Sequence, residues 1–142
     1  MLRWAGAKIG TNVRVYSSVT ILGNGALEIG DDVHLGPRVM IYPVAPAGVK
    51  IGSHVDVASD VLVLTGSHQV DCIGEHAAGE GTTAAVEIGD GCWLGARSVI
   101  LPGVSLSDKS VVAAGAVVTK SVGVANCLLA GVPASIKKVY KS

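Results

Sequence analysis

A chain of 142 residues with 11 basic and 11 acidic side chains carries no formal net charge, so a nucleic-acid role has no electrostatic footprint. Its length is that of one ordinary domain. Phe is absent and aromatics make up 4% while Val, Ile, Ala and Gly dominate, which excludes a core built from large rings.

In chain order, residues 1–8 are too few for a separate helical domain, and Trp4 is expected to cap the open end of the first coil. From Ile9 a six-residue rhythm begins, with branched aliphatics at Ile9, Val15 and Ile21. Two extra residues, Leu27 and Glu28, precede Ile29, Leu35 and Ile41. A four-residue excursion rich in Pro and Ala comes next, around 43–46, and then Ile51, Val57 and Val63. The rhythm fails over 69–87. It resumes at Ile88 as six tandem blocks, IGDGCW LGARSV ILPGVS LSDKSV VAAGAV VTKSVG.

A period of six suits neither an α-helix nor a hairpin sheet. It suits a parallel β-helix, in which each block is one short strand plus a corner and neighbouring coils share a core. The opening aliphatic fills the interior, and sharp corners favour residues that tolerate positive φ. The fourth position supplies these at Asn12, Asn24, Asp32, Asp60, Gly66, Gly91, Gly103 and Gly115. Three blocks make one triangular turn, so the sequence predicts an all-β parallel β-helix of about five coils, roughly 24 Å tall at the strand spacing. The domain is expected to be single: coils over 9–68 and 88–123, a long inserted loop at 69–87 and a C-terminal tail at 124–142.

The tail does not read as a membrane anchor despite a mean hydropathy of +0.53. The uncharged run 121–136 is too short and is broken by Gly123, Asn126, Gly131 and Pro133. No charged start with an apolar centre marks a signal peptide. Cys72, Cys92 and Cys127 lack paired spacing and fit a reducing compartment, so a cytoplasmic location is expected. Cys92 holds an inward repeat position and reads as core.

The interruption is where function is to be sought, since a 19-residue break in so regular a solid is either linker or a site-building arm. Leading into it is Thr65-Gly66-Ser67-His68. After it come Ile88-Gly89-Asp90-Gly91-Cys92-Trp93-Leu94-Gly95 and Ile100-Leu101-Pro102-Gly103-Val104, and near the end Ala130-Gly131-Val132-Pro133-Ala134. In this order and over nearly the whole chain beyond residue 8, these motifs resemble the hexapeptide-repeat acetyltransferases of the maltose, galactoside and surface-polysaccharide type. Left-handedness of the β-helix is implied by that resemblance alone, because parallel crossovers are ordinarily right-handed. Members of the maltose and galactoside type usually carry an extra N-terminal helical segment. Its absence from this sequence points toward the small transferases of surface-polysaccharide or lipopolysaccharide synthesis.

The resemblance implies an acetyl-CoA-dependent O-acetyltransferase that acts on a hydroxyl of a sugar or polysaccharide precursor, with no metal required. His68 matches the family's catalytic position. An imidazole, which titrates near pH 6.5 when unperturbed, can take the proton of an alcohol as it attacks a thioester. The family's oxyanion donor is a backbone N–H after W-x-G, which implies Ala96. Ala96 and Ala114, one coil apart, are implied to run along the pantetheine arm of coenzyme A. Thr119, Lys120, Lys137 and Lys138 are implied to meet its nucleotide end. Asp60, Trp93 and, within the loop, His76 are candidate acceptor contacts. His34 and His54 read as structural or solvent-facing.

No Ser or Cys stands in a nucleophile arrangement with His68, so transfer is expected to be direct. An amino-sugar N-acetyltransferase remains an alternative, since the same base serves an amine. A non-catalytic binding or assembly module is the alternative from another class. A γ-type carbonic anhydrase shares the fold, but its H-x-x-x-x-H pair is absent. His68 is expected at a different corner of the prism from Ala96, with the core between them. One subunit cannot easily complete its own site, and the resemblance implies a homotrimer with three sites at subunit boundaries.

Overall fold

The computed structural model describes residues 6–141. Trp4, the expected end cap, lies outside the described residues. Every regular element among those described is a strand, and three parallel sheets form the sides of a triangular prism. Sheet A stacks Lys8–Ile9, Leu27–Ile29, Val49–Ile51, Val86–Ile88 and Ser105–Leu106. Sheet B stacks Arg14–Val15, His34–Leu35, Asp56–Val57, Trp93–Leu94, Val111–Val112 and Cys127–Gly131, with Ala134–Val139 added antiparallel at its end. Sheet C stacks Thr20–Ile21, Met40–Tyr42, Leu62–Leu64, Val99–Ile100 and Val117–Val118.

The strand register obeys the six-residue rhythm. Ile9, Ile29, Ile51, Ile88 and Leu106 lie over one another in sheet A. Val15, Leu35, Val57, Leu94, Val112 and Leu129 do so in sheet B. Ile21, Ile41, Val63, Ile100 and Val118 form the third column. These columns fill the prism, and Leu35, Val63, Leu94, Ile100 and Val112 are fully buried. Each such side chain contributes about 1.5–3 kcal/mol by leaving water. Val15, in the first described coil, remains 40% exposed, since among the described residues that coil has a neighbour on one side alone.

Coil stacking is close enough that Gly95 cannot carry a Cβ. The atom would lie 2.6 Å from the Val112 carbonyl oxygen and the Ala114 nitrogen. At the A–B corner a side-chain ladder joins the coils. Asp31 accepts from the Thr11 N–H at 2.6 Å, Asp90 from the Ser53 N–H at 2.7 Å, and Asp108 from the Asp90 N–H at 2.9 Å.

Of the expected corner residues, Asn12, Asp32, Asp60, Gly91, Gly103 and Gly115 have positive φ. Asn24 and Gly66 are not among the positive-φ residues: Gly23 bends the chain instead, at φ 135°, and Gly66 opens a strand. Arg38, His54, Arg97 and Lys109 hold the same fourth position with φ between 52° and 59°. Their left-handed backbone is a consequence of stacking. The amides of His54, Arg97 and Lys109 donate to the Asp31, Ser59 and Asp90 carbonyls of the preceding coil, which offsets the steric cost of about 1–2 kcal/mol.

Two segments are more ordered than the sequence predicts. The interruption is a β-hairpin arm, in which Gly66–Val70 pairs antiparallel with Ala78–Thr83 and 71–77 forms the tip. The tail does not leave the prism. Cys127–Gly131 continues sheet B beside Val111–Val112, and Val122 bridges Leu106.

Candidate active site

The arm departs from the C–A corner just after Leu62–Leu64. Its root is fixed by Thr65, which is fully buried. The Thr65 hydroxyl donates to the Tyr42 carbonyl at 3.0 Å and accepts from the Val44 N–H at 2.7 Å. The Thr65 carbonyl accepts from Ala84 N–H, where the returning strand rejoins the prism. Both strands of the arm and the excursion of the previous coil therefore meet at one residue. At the tip, Asp71 accepts from the Ile73 and Gly74 amides at 2.9 Å, and those backbone hydrogen bonds hold its carboxyl below the usual range.

His68 lies on the outgoing strand opposite Gly81, exposed to solvent. Its Nδ1 is 2.9 Å from the Gly79 carbonyl oxygen across the hairpin. A carbonyl only accepts, so Nδ1 carries the proton, and in the neutral ring Nε2 presents a lone pair. Such an imidazole is oriented and ready to receive a proton at Nε2. Among the described residues no hydrogen bond joins His68 to a Ser or Cys.

At the B–C corner, Ser59, Ala96 and Ala114 occupy the third position of successive coils. The carbonyls of Ser59 and Ala96 accept from Arg97 and Gly115 at 3.0 and 2.9 Å. Among the described residues, the N–H groups of Ser59, Ala96 and Ala114 donate to no protein acceptor. This edge therefore offers a row of free amide donors beside small side chains, which fits an extended chain of alternating amides and methylenes laid along it.

Asp60 stands at this same corner. Both its oxygens are taken by Arg38, at 2.8 Å from Nε and 2.8 Å from Nη2. The Arg38 hydrogen bonds hold the Asp60 carboxyl below its usual range and raise the guanidinium's own pKa. Trp93 projects from the outer face of sheet B and is 55% exposed. Thr119 and Lys120 are exposed at the C–A corner, two coils beyond the arm. Lys137 and Lys138 lie on the last strand of sheet B, with the Lys138 ammonium 4.8 Å from the Tyr140 ring. His76 is in the exposed arm tip, away from the corner residues in the chain.

The chain thus gathers Asp60, Ala96 and Ala114 on one edge, and His68, Thr119 and Lys120 on another. The filled core stands between. Sequence reasoning missed Thr65 as the anchor of the arm and Arg38 as the partner of Asp60, because both contacts join residues more than 20 apart. Cys92 is core as expected: it is buried, its Sγ donates to the Ser107 carbonyl, and burial pushes its thiol up to about 11. Among the described residues no group of three or more His, Cys, Asp or Glu side chains could hold a metal ion.

A family model described as the hexapeptide repeat of succinyl-transferase matches residues 85–120. WcaF of Escherichia coli (strain K12), named for acetyl transfer in colanic acid biosynthesis, is 36% identical over 138 residues, covering 96% of this chain and 71% of its own. The galactoside O-acetyltransferase of the same strain is 32% identical over 133 residues, covering 92% and 62%. A solved galactoside acetyltransferase in complex with coenzyme A matches with TM-score 0.68 at 26% identity, over 93% of this chain and 64% of that one. The N-acyltransferase AntD of Bacillus cereus, in complex with dTDP and 3-hydroxybutyryl-CoA, matches with TM-score 0.81 at 22% identity, over 95% and 73%, a likeness of fold alone.

Proposed function

The chain belongs to the hexapeptide-repeat acetyltransferases, and from that membership we propose that it moves an acetyl group from acetyl-CoA to a hydroxyl of a sugar or polysaccharide precursor. Its fold is that family's left-handed parallel β-helix, and its class is acyltransferase. The observation that carries the mechanism is the His68–Gly79 hydrogen bond, because it leaves Nε2 as the base.

Acetyl-CoA supplies the activated acetyl thioester. In the proposed mechanism His68 Nε2 takes the hydroxyl proton as the acceptor oxygen bonds to the acetyl carbonyl carbon. The Ala96 N–H meets the negative charge that develops on the carbonyl oxygen. His68 then returns its proton to the sulfur as the carbon–sulfur bond breaks. The donor's amide-bearing arm is assigned to the Ala96–Ala114 edge. Its phosphates are assigned to Thr119, Lys120 and the Lys137–Lys138 strand. Trp93 and the Arg38–Asp60 pair border the acceptor. His76, on the arm tip, is a further acceptor contact.

His68 and Ala96 occupy different edges, so a complete site needs two copies of the chain. We assign the assembly as a homotrimer in which each arm reaches the neighbour's B–C edge. A cytoplasmic enzyme, where acetyl-CoA is made available, fits the unpaired cysteines. The test is release of the coenzyme A thiol in the presence of a sugar panel, with His68→Ala as control. The variant is expected to lose about 10²–10⁴-fold in turnover while still binding acetyl-CoA. Undiminished turnover in that variant removes His68 from the mechanism. Acetyl transfer to amino sugars alone would favour the N-acetyltransferase reading.

A further inference from the structure

The outer face of sheet B carries a second feature, separate from the two edges assigned to catalysis. Strand register places Arg14, His34, Asp56 and Trp93 one above another on successive coils. At the strand spacing this column spans roughly 14 Å. Beside its lower part, on the A–B corner, Asn12, Asp32 and His54 form a parallel column. An open cavity of about 220 Å³ lies among Asn12, Arg14, Asp32, His34, His54 and Asp56. A second, of about 370 Å³, runs from His34 and Asp56 past Trp93 to Ser59. They share His34 and Asp56, so the two make one continuous track. Its upper end reaches the B–C edge at Ser59, the residue one coil below Ala96.

The two columns differ in how their polar groups are used. The corner column is bonded internally: Asn12 Nδ2 donates to Asp32, and the other Asp32 oxygen lies 3.1 Å from His54 Nδ1. That contact lowers the Asp32 carboxyl, with smaller contributions from Asn12 and Arg14. On the sheet column, the side chains of Arg14 and Asp56 make no hydrogen bond or ion pair among the described residues. The His34 ring makes no side-chain hydrogen bond among the described residues and meets the Tyr16 ring edge-on at 5.6 Å between centroids. The column thus offers a donor at Arg14, a donor or acceptor at His34 and an acceptor at Asp56, and then an exposed indole face.

We propose that this track binds the further sugar units of an oligosaccharide acceptor, so that the enzyme modifies a chain rather than a free monosaccharide. The inference rests on the sugar-acetyltransferase reading and extends it. Hydroxyls both donate and accept, and they match an alternation of Arg, His and Asp in which no single charge prevails. The apolar face of a sugar ring matches Trp93. Two carboxylates against one guanidinium disfavour a phosphate or another anion at the lower cavity.

The test is binding of labelled protein to an array that pairs oligosaccharides with their component monosaccharides, for the native chain and for Asp56→Ala and Arg14→Ala. The expected result is a signal on at least one oligosaccharide, absent on its monosaccharide and weakened about tenfold in both variants, with unchanged melting temperature. Trp93→Ala should weaken the same signal. No oligosaccharide signal sensitive to Asp56→Ala and Arg14→Ala overturns the track, as does equal binding of chain and monosaccharide. The array reads binding without acetyl transfer, so an inert thiol-release assay beside a variant-sensitive signal would sink the catalytic reading and spare the track. Transfer to monosaccharides with no such signal would do the reverse.

Discussion

The Thr65 hydroxyl donates to the Tyr42 carbonyl at 3.0 Å and, through the same oxygen, accepts from the Val44 N–H. This buried side chain ties the root of the arm to the excursion of the coil below, and so sets where His68 starts. Thr65→Val keeps the volume and the bond from the residue-65 N–H to the Tyr42 carbonyl but leaves the Val44 N–H without its acceptor, which is expected to cost about 1–3 kcal/mol of stability. If Thr65 is a positioning residue, kcat falls while the KM for acetyl-CoA stays, and Thr65→Ser restores kcat. Steady-state kinetics on both variants decide it. Full kcat in the Val variant would mean that the arm is placed by other contacts.

Ser98 presents the opposite case. Its hydroxyl is fully buried and bonded to nothing among the described residues. The corresponding position of the neighbouring coils is Val61 on one side and Ala116 on the other, both buried hydrophobics. Ser98→Ala removes an unsatisfied polar group and is expected to stabilise the fold by about 1 kcal/mol. Denaturant titration measures it. A loss of stability would show that the hydroxyl has a partner in solution.

The three thiols should separate cleanly. Cys72 is exposed on the arm tip, whereas Cys92 and Cys127 are buried. Burial holds the Cys92 thiol near 11, so at pH 8 it is neutral and unreactive. Titration with a thiol-specific chromogenic reagent is expected to label Cys72 at once and the other two only after unfolding. Rapid labelling of Cys92 in the folded protein would contradict its place in the core.

Much of this architecture is legible in the chain because one constraint, the narrow prism, acts on every sixth residue. Ile9, Ile29, Ile51, Ile88 and Leu106 can be picked out before any coordinate, and they stack as the rhythm requires. Corners at Arg38, His54, Arg97 and Lys109 are not legible, since stacking hydrogen bonds impose positive φ on residues that would not choose it. The arm is hidden for a similar reason. Ala78–Thr83 reads AGEGTT, with little strand propensity of its own, and becomes a strand by pairing with Gly66–Val70. In the site, motif spacing points to His68. The hydrogen bond that orients its ring and the capture of Asp60 by Arg38 are tertiary facts with no local signature.

The Arg38–Asp60 pair makes a prediction about acid stability. Asp60 is depressed in the folded state, chiefly by the Arg38 hydrogen bonds. Its contribution is therefore fully present above the unfolded carboxyl pKa, about 4, and is lost as pH falls through the lower folded value. Arg38→Ala removes that contribution. The melting-temperature gap between native and variant should hold steady at neutral pH and narrow below about pH 4. The gap is expected to be small, because the pair is solvent-screened. A gap that widens in acid would mean that Asp60 is not held down by Arg38.

The central claim is that His68 of one copy works with the Ala96 amide of another. Complementation tests it most directly. A His68→Ala chain and an Ala96→Trp chain, each inactive alone, are refolded together and assayed for thiol release from acetyl-CoA with an acceptor sugar. In the proposed trimer, mixed assemblies would contain boundaries that pair an intact His68 with an intact Ala96, so activity is expected to return. If the mixture stays inactive while native chains refold to full activity under the same conditions, the site is not shared between copies.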